Sequence, residues 1–486
     1  MPDIIITRDF IKDKIEIIKD PMDRAVRKEA FDRWMFFNGN VQPIIKSWIE
    51  REFKKPETVE ELTARIVPIN IVKKIINKLA AVYTEPPLRN VADGNESDQE
   101  MLQLCEDVMK VNVNMKLGNN MFKLDKKLLT EIFVNENGMP QMRHLPAYTY
   151  KVFSHSMINP EIPDTVMKLI NPNEPDETKQ RFIIWTERQF LIVDGKGDIR
   201  RDLMEDMGNP DGINPFETLP FIYMADNMIS VDPIDDDDLL KTSIAINVLM
   251  SDLLFASKYQ SWSLIWTVGF NGDLPMNPNS VVHIDRDASG EKPEINQLKP
   301  EIDTQGALRL IEALTSMLLS SRNLSTKSIS NQLSVDNIQS GVSKAIDQSE
   351  VLEERKGQQD VFLQYEQVFW DKLAFNMIPV WRQQGLLSPE LNKEFSEAFE
   401  VILTLREPQV MLSEMERIDI ESKKLLEGLT TLRRSLQVLN PDMGEEEIDA
   451  LILEIEEDKA NKVQPIINEM QPEEQDGEED SEENEG

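Results

Sequence analysis

Aspartates supply the densest group of chemically capable side chains in this sequence. Asp235 to Asp238 are consecutive carboxylates, the ligand type that holds Mg²⁺ in metal-dependent nucleases. The same acids directly precede an apolar helical pattern, and a helix N-terminus favours negative charge through its dipole and free N–H groups. The sequence therefore leaves a metal-dependent phosphodiester enzyme open as the alternative function, but it favours a structural role for the cluster.

The other reactive residue types show no catalytic spacing. His144, His155 and His283 lie far apart in sequence. Gly195-Lys196-Gly197 lacks the frame of a phosphate-binding loop, so ATP hydrolysis is not expected. The single cysteine, Cys105, can form neither an intrachain disulfide nor a cysteine-rich zinc site, and we expect a small buried apolar residue. We predict a protein that is not an enzyme, with no catalytic residues, no metal and no cofactor.

The charge of the chain limits its partners. Its 486 residues carry 88 acids and 53 bases, a formal net charge of −35, and 40% of them are hydrophobic. The apolar content excludes a wholly disordered chain, and the length allows about two to four domains. A protein this acidic should not hold phosphates or anionic lipids over a broad surface. Any contact with nucleic acid should therefore be local or weak.

Three segments of the sequence bear on the expected cellular compartment. The start, Met1 to Asp9, lacks the basic and apolar segments of a signal peptide. The longest uncharged apolar run, Tyr259 to Phe270, is shorter than the roughly 20 residues that a membrane-spanning helix needs. Residues 445–486 hold 18 acids and 2 bases, and 464–486 are predicted to be a disordered acidic tail. We expect a protein made in the cytosol, with no membrane partner.

Hydrophobic periodicity predicts an α+β, mainly helical fold. Residues 8–55 and 59–84 have helical spacing, with a break at Asp20-Pro21. Residues 128–230 change to strand spacing and predict a small, mainly antiparallel sheet. Asn137-Gly138 is typical of a hairpin turn within that sheet.

A helix, a small α/β insert and a second helix are predicted next. The first helix carries an apolar stripe with Leu240, Ile244 and Val248, and the second carries Ile311, Leu314 and Leu318. Between them, alternation predicts strands at Trp262–Phe270 and at Val281–Ile284. The stripes have two open interpretations, since period alone does not tell burial in the subunit's own core from packing against another subunit.

The C-terminal part is predicted to begin with a long helix. Residues 323–340 are polar and aperiodic, and a helical pattern then runs from residue 341 to about Ile378, before Pro379. Its apolar stripe of Phe362, Tyr365, Phe369, Leu373 and Met377 has the same two interpretations. A strand at 399–405 and helices at about 412–427, 430–439 and 445–458 follow.

Four stretches, collinear over residues 60–460, resemble the pattern of tailed-bacteriophage portal proteins. Thr430 departs from that pattern, in which a serine is common at this place. The stretches are residues 69–76 continuing to Tyr83-Thr84-Glu85-Pro86-Pro87, residues 209–215 continuing through Leu219-Pro220-Phe221-Ile222 to Asn227, residues 340–344, and Glu427-Gly428-Leu429-Thr430 followed by Pro441-Asp442 and an acidic helix from Glu445.

The resemblance implies a portal-type fold with wing, stem, clip and crown regions, assembled as a ring. The implied regions are a wing at 1–234, a stem helix at 235–258, a clip at 259–300, a second stem helix at 301–322, a tunnel loop at 323–340, a long wing helix and strand at 341–410, a helical crown at 411–463 and the acidic tail at 464–486.

The resemblance also implies a function and partners. Portal proteins form a homo-oligomeric ring, typically of twelve subunits, at the unique capsid vertex, and double-stranded DNA is packaged and ejected through its channel. The ring contacts the terminase large subunit, the head–tail adaptor or neck proteins, the major capsid protein and, in some assemblies, a scaffolding protein. The expected location is the virion, after assembly in the host cytoplasm.

Site residues follow from their positions within the implied regions. Arg322, Lys327 and Lys344 are placed to contact passing phosphates, although each is also compatible with an ordinary solvated side chain. Trp262, Trp266 and Arg286 are candidates for partner docking at the clip, where the tryptophans are equally suited to fill a small core. The subunit interface is assigned to the stem stripes: Leu240, Ile244, Val248, Ile311, Leu314 and Leu318.

Overall fold

The computed structural model describes most of the chain. They form two compact units, Met1–Val335 with Ile346–Pro408, and Asp336–Ala345 with Gln409–Gly486. The fold is mixed α+β and about 55% helical, which confirms the predicted class. Side chains are not described for 258–261, 264–268, 294–298, 341–352 and 414–417. The described residues are 4–92, 94–226, 238–261, 264–268, 294–298, 303–324, 341–391, 393–405, 414–440, 443–444 and 447–455.

Helices form the N-terminal part of the first unit. The break at Asp20-Pro21 is confirmed, because the Asp20 side chain accepts a hydrogen bond from the Met22 N–H at 2.8 Å and Pro21 begins the next helix. The helices are α1 (Arg8–Lys19), α2 (Pro21–Phe37), α3 (Gln42–Glu52), α4 (Pro56–Thr63), α5 (Ile71–Leu79), α6 (Glu96–Met109) and α7 (Val111–Asp125).

The strands of residues 127–225 form two antiparallel sheets, so the prediction of one sheet is wrong. The strands are β2 (Lys127–Val134), β3 (Pro140–Leu145), β4 (Tyr150–Phe153), β5 (Thr165–Leu169), β6 (Arg181–Trp185), β7 (Phe190–Asp194) and β8 (Phe221–Ala225), with a short helix α8 (Arg201–Asp206) before β8. Their orders are β3-β2-β8 and β4-β5-β6-β7. Sequence neighbours pair in the second sheet, whereas β8 returns across the chain to pair with β2, a long-range step that local alternation does not encode.

The hairpin turn at Asn137-Gly138 is confirmed and explains the glycine. Gly138 has φ +73°, and a Cβ atom there would lie 2.5 Å from the backbone nitrogen of Ser388. That nitrogen donates to the Gly138 carbonyl at 2.9 Å. Only glycine allows both the left-handed backbone and this close approach.

The predicted helix–insert–helix unit is present in the described residues. Its elements are α9 (Asp238–Ser261), β9 (Leu264–Val268), β10 (Glu294–Leu298) and α10 (Thr304–Ser320). The two strands pair in antiparallel register, Trp266 opposite Asn296. β10 was not predicted, and the strand expected at Val281–Ile284 lies outside the described residues.

The long helix is confirmed, but its predicted end is wrong. It runs as α11 (Gly341–Asp371), continues as a π-helical segment (Lys372–Met377) and passes through Pro379 into α12 (Ile378–Gln383). Pro379 lies in the first turn of α12, where a missing N–H is tolerated. Phe362, Tyr365, Phe369, Leu373 and Met377 are buried in the chain's own core.

A short pair of strands connects the segment after α12 to the N-terminal part of the chain. Strand β11 (Val401–Thr404), which follows α12, pairs in antiparallel register with β1 (Leu88–Val91). The sequence predicted β11, but it did not predict β1. Leu88-Arg89-Asn90-Val91 is too short and too polar to give a strand signal.

A buried ion pair joins the same two regions. Arg89 donates from Nε to the Glu366 carboxylate, and their side chains are 0% and 2% exposed. Tyr83 also donates to Glu366, at 2.7 Å. Burial, and then the neighbouring Glu366 carboxylate, raise the pKa of Tyr83 well above its ordinary value, so this hydroxyl stays a donor. Tyr83 and Arg89 therefore both donate hydrogen bonds to Glu366 and connect α11 to the N-terminal part of the chain.

A second buried polar chain crosses from α11 to β3. The His144 Nε2 lies 2.7 Å from the carbonyl oxygen of Asn114, which can only accept, so Nε2 carries the ring proton. His144 Nδ1 then accepts from the Thr130 hydroxyl at 2.6 Å, and Thr130 accepts from Tyr365. Burial lowers the pKa of His144 to about 4, so the ring is neutral in the folded protein near pH 7.

The second unit contains three described helices. They are α13 (Glu414–Leu426), α14 (Leu432–Leu439) and α15 (residues 447–455). Gly428, at φ +73°, ends α13, and the N–H groups of Gly428 and Leu429 bond back to the carbonyls of Leu425 and Lys424. Thr431 caps α14 by accepting from the Arg434 N–H at 3.3 Å. The predicted helices near 412–427, 430–439 and 445–458 are confirmed with slightly shorter bounds.

Replacing Arg89 by methionine should remove the cation that pairs with the buried Glu366 carboxylate and with Glu106. We expect the free energy of unfolding to fall by about 3–5 kcal/mol. Arg200→Met is the control, since its pair with Asp202 is exposed and screened by solvent and should contribute far less to stability. Urea unfolding followed by circular dichroism measures both. Equal losses in the two variants would contradict a buried pair at Arg89.

His144 should make stability depend on pH. The unfolded imidazole has a pKa near 6.5 and the folded one a pKa of about 4, so the unfolded state takes up the proton first as the pH falls. Its contribution is present above pH 6.5 and is lost towards pH 4. Between pH 7 and pH 5 the wild type should lose about 2 kcal/mol more stability than His144→Gln. Identical pH slopes in the two proteins would exclude this role.

Candidate functional site

A buried asparagine on α9 hydrogen-bonds this helix to the body of the first unit, in addition to the apolar contacts of the helix pair. Asn247 on α9 is fully buried, accepts from the Ile69 N–H at 2.7 Å and donates to the Ile69 carbonyl at 3.0 Å. The next residue, Asn70, caps α5 by accepting from the Lys73 N–H at 2.9 Å. Residues 69–70 begin the first portal-like stretch, and their local role is to position α5 and α9. Sequence reasoning missed Asn247, because it lies within an apolar stripe.

The second portal-like stretch forms a tight turn that leads into β8. Asn209 accepts from the Ile213 N–H at 3.1 Å and donates to the Ile213 carbonyl at 2.8 Å. Gly212 has φ +65°, and a Cβ atom there would lie 2.7 Å from the Phe190 carbonyl oxygen. Buried Asn214 donates to the carbonyls of Thr186 and Thr218, each at 2.8 Å. The predicted passage from a turn to a strand is confirmed.

Arg322 connects the end of α10 to the start of α9. Its guanidinium donates to the Asp238 carboxylate, and the Ser321 hydroxyl donates to the same carboxylate at 3.2 Å. The Arg322 side chain is only 14% exposed. Because the end of one helix meets the start of the other, α9 and α10 form an antiparallel pair. The contact is structural within the chain and leaves little of Arg322 free for DNA.

A polar cleft of about 900 Å³ opens beside this junction. The end of α10 contributes Ser320, Asn323 and Leu324 to its wall, and residues of α7, α11 and the end of β8 complete it. Three carboxylates and one ammonium line it: Asp226, Glu353, Glu354 and Lys123. The cleft therefore has a formal excess of negative charge at the point where the described part of α10 ends.

The side of the cleft formed by α11 is held by a continuous polar chain. Lys123 lies 2.6 Å from a Glu354 carboxylate oxygen, which also accepts from Gln358 at 2.9 Å. Gln358 accepts from Asn119 at 3.1 Å, and Asn119 accepts from the Val82 N–H at 3.2 Å. The acidic wall is thus fixed to α7 and to the segment after α5. No periodicity signal marked these residues, since isolated polar residues in a sequence look solvated.

The stem stripes are mostly buried within the chain. Leu240, Ile244 and Leu318 belong to a core with α3 and α5. For these three side chains, burial in the subunit's own core is therefore the interpretation that the structure supports. Val248, Ile311 and Leu314 are partly buried against the same core, and their assignment to a subunit interface stays a prediction. Among the described residues of the pair, the exposed large apolar side chains are Leu254, Leu308, Leu310 and Met317, of which the sequence pattern had placed Leu308 on the apolar stripe of the second helix.

Several predicted site residues lie outside the described residues. These are Lys327, Trp262 and Arg286, together with Asp235 to Asp237 of the acidic cluster. Lys344 lies in the first turn of α11, and Trp266 lies in β9, but their side chains are not described. The placement of these residues in a channel or a docking tip stays a prediction.

Neither metal ligands nor a catalytic histidine group come together in the described part of the chain. Groups of three or more histidine, cysteine or acidic residues that could hold a metal ion are not found there. Asp238 instead binds Arg322, and His155 pairs with Asp164 at 2.8 Å. Cys105 is fully buried, as predicted, and burial raises its pKa to about 12.

Within the described part of the chain, one helix has the length and composition to cross a membrane. The segment is Asp238–Ser257 of α9, and the search for uncharged runs missed it because Lys241 and Asp252 interrupt it. Within the chain, one face of this segment is buried against α3 and α5. Soluble core helices pass the same test, so the segment is weak support for a membrane contact.

The chain matches no protein-family model and no curated protein. The resemblance to portal proteins therefore stays a prediction from motifs and the order of elements.

The Arg322–Asp238 contact can be tested with a double-mutant cycle. Arg322→Ala and Asp238→Ala should each destabilise the chain, and their combined effect should fall short of the sum by about 0.5–1 kcal/mol. Arg200→Ala combined with Arg322→Ala is the control and should be additive, since Arg200 pairs with Asp202 and not with Asp238. Urea unfolding at one protein concentration gives all values. Strict additivity for Arg322 and Asp238 would contradict the contact.

Proposed function

We propose that this protein is the portal subunit of a tailed bacteriophage. It forms a homo-oligomeric ring at the unique capsid vertex, through which double-stranded DNA is packaged and ejected. The terminase large subunit docks on it during packaging, and neck and tail proteins dock afterwards. The observation that carries the proposal is the antiparallel α9–α10 pair with its β9–β10 insert, placed in the chain between a helical and sheet-containing body and the long helix α11.

The α9–α10 pair has the form that a channel wall requires. At 1.5 Å per residue, the 24 residues of α9 span about 36 Å and the 17 residues of α10 about 26 Å. The Arg322–Asp238 contact closes one end of the pair, and the paired strands β9 and β10 join the helices at the other. A stem of this kind, repeated around an axis, forms a tube.

Ring closure needs a surface that the chain leaves uncovered. The exposed Leu254, Leu308, Leu310 and Met317 give the α9–α10 pair an apolar outer surface after its core is filled. Exposed apolar side chains that are concentrated on one pair of helices favour protein–protein contact. A contact between two different faces, repeated with the right rotation, closes into a ring.

The charge of the chain suits a conduit that must not hold DNA. Each phosphate neutralised by lysine or arginine adds affinity, so a basic bore would slow the duplex. Twelve copies would carry a formal charge of roughly −420, screened by counterions over about 8–10 Å. The acidic cleft beside the end of α10 fits the same requirement. In this proposal Lys327 and Lys344 supply sparse, transient phosphate contacts.

The test is the mass of the purified protein in solution. One chain has a mass of 56.0 kDa, and a ring of twelve has a mass of about 670 kDa. Sedimentation velocity at several protein and salt concentrations should show one large, discrete species. A mass of one chain under every condition would overturn the proposal.

A nuclease assay separates the proposal from the metal-dependent enzyme. The full chain with Mg²⁺ should leave linear duplex DNA intact. Cleavage that requires Mg²⁺, and that is lost when Asp235 to Asp238 are replaced by asparagine, would favour the enzyme instead. The asparagine variant keeps the size of the four side chains and removes their charge.

A further inference from the structure

The outer face of α5 is basic, although the chain as a whole is strongly acidic. Lys73 and Lys74 are exposed, and Lys78 is half-buried. Residues 62–84, which contain α5, hold four basic residues and no acid, whereas the whole chain has a formal net charge of −35. The fourth base, Arg65, lies 5.3 Å from the centroid of an aromatic ring on α9 and is used within the chain. The remaining positive charge is therefore concentrated on one helix.

The three lysines lie on the same side of α5. Residues four apart are neighbours on a helix surface, which places Lys74 beside Lys78 and Lys73 beside exposed Asn77. The opposite side of the helix is apolar and buried, and it consists of Ile71, Val72, Ile75, Ile76 and Leu79. The backbone of α5 is therefore fixed to the core through one face, and its lysines project from the other.

The charges of these lysines are not used within the described part of the chain. None of the three forms an ion pair with a described residue, and the first turn of α5 contains no acid. Like charges four residues apart destabilise a helix slightly, so Lys74 and Lys78 do not serve the stability of α5. Arg322, which the sequence assigned to DNA contact, is instead paired with Asp238. The α5 lysines are thus available to an anionic partner.

The spacing of the lysines suits a nucleic-acid backbone. At 1.5 Å per residue, Lys74 and Lys78 are separated by about 6 Å along the helix axis. Successive phosphates of one DNA strand are spaced by about 3.4 Å along the duplex axis, so this separation corresponds to roughly two nucleotide steps. An anionic membrane is the less suitable partner. Amphipathic membrane helices insert an exposed apolar face, and the apolar face of α5 is buried.

We propose that the lysine face of α5, formed by Lys73, Lys74 and Lys78, binds the phosphates of duplex DNA. The choice of duplex DNA as the partner rests on the proposed portal function, whereas the basic surface itself does not. Three phosphate contacts per subunit give weak, salt-sensitive binding, which guides a duplex without holding it. The hydrogen bonds between Asn247 and Ile69 place the start of α5 against α9, so the contact lies beside the proposed stem.

The salt dependence of DNA binding by the full chain tests this inference. The probe is a short fluorescent DNA duplex, and the triple variant carries Lys73→Gln, Lys74→Gln and Lys78→Gln. Each phosphate contact contributes about −0.9 to the slope of log K against log salt concentration, so the slope should become less steep by about 2.7 for each subunit that contacts the duplex. At low salt the affinity should fall by about tenfold or more. Lys74→Gln alone should change the slope by about 0.9.

The matched control carries Lys12→Gln, Lys110→Gln and Lys196→Gln. These lysines are exposed on separate parts of the chain, and their replacement changes the net charge by the same amount. The control should bind the duplex like the wild type. Equal losses of affinity in both triple variants, or an unchanged slope in the α5 variants, would overturn the contact. Lysine-dependent binding to phosphatidylserine vesicles without binding to the duplex would overturn DNA as the partner.

The outcomes also separate this inference from the proposed function. Rings whose binding to the duplex does not depend on the α5 lysines would overturn the contact and leave the portal proposal in place. A mass of one chain, together with a slope that depends on these lysines, would overturn the portal proposal and support the contact.

Discussion

A carboxylate in an apolar core must be compensated, and this requirement holds the first unit together. Glu366 lies within the long helix α11, and its cation, Arg89, comes from β1. Loss of a buried partner is costly because an unpaired charge remains in a poorly polarisable environment. The pair therefore fixes α11 against the N-terminal part of the chain. The β1–β11 ladder repeats the same connection in the backbone.

This frame explains how the chain can carry a separate pair of helices. The α9–α10 unit lies in sequence between two regions that are joined by Arg89–Glu366 and by β1–β11. Asn247 attaches α9 to the frame through the backbone of Ile69. The helices can therefore contribute an outer surface to an assembly while their inner face completes the core. In the proposed portal, the frame would set the spacing of subunits and the helices would line the channel.

The sequence predicts the elements better than their long-range connections. The break at Asp20-Pro21 and the turn at Asn137-Gly138 are local, because each depends on the backbone preferences of two residues. The division into two sheets depends on β8 pairing with β2 across the chain, which no local pattern records. The helix continues through Pro379, directly after the π-helical segment, although the residue type predicts an end there.

The candidate site is less predictable than the fold. Its apolar stripes were found by their period, but the period did not tell that Leu240, Ile244 and Leu318 fill the chain's own core. Glu354, Gln358 and Asn247 are polar residues that a sequence places at the surface by default, and only their partners show that they position α9 and α11.

Electron microscopy of the purified, assembled protein, viewed along the particle axis, tests the central claim most directly. The account predicts closed rings of identical subunits around an axial opening wide enough for a DNA duplex. Particles with no opening through the centre, or single subunits alone, would contradict it.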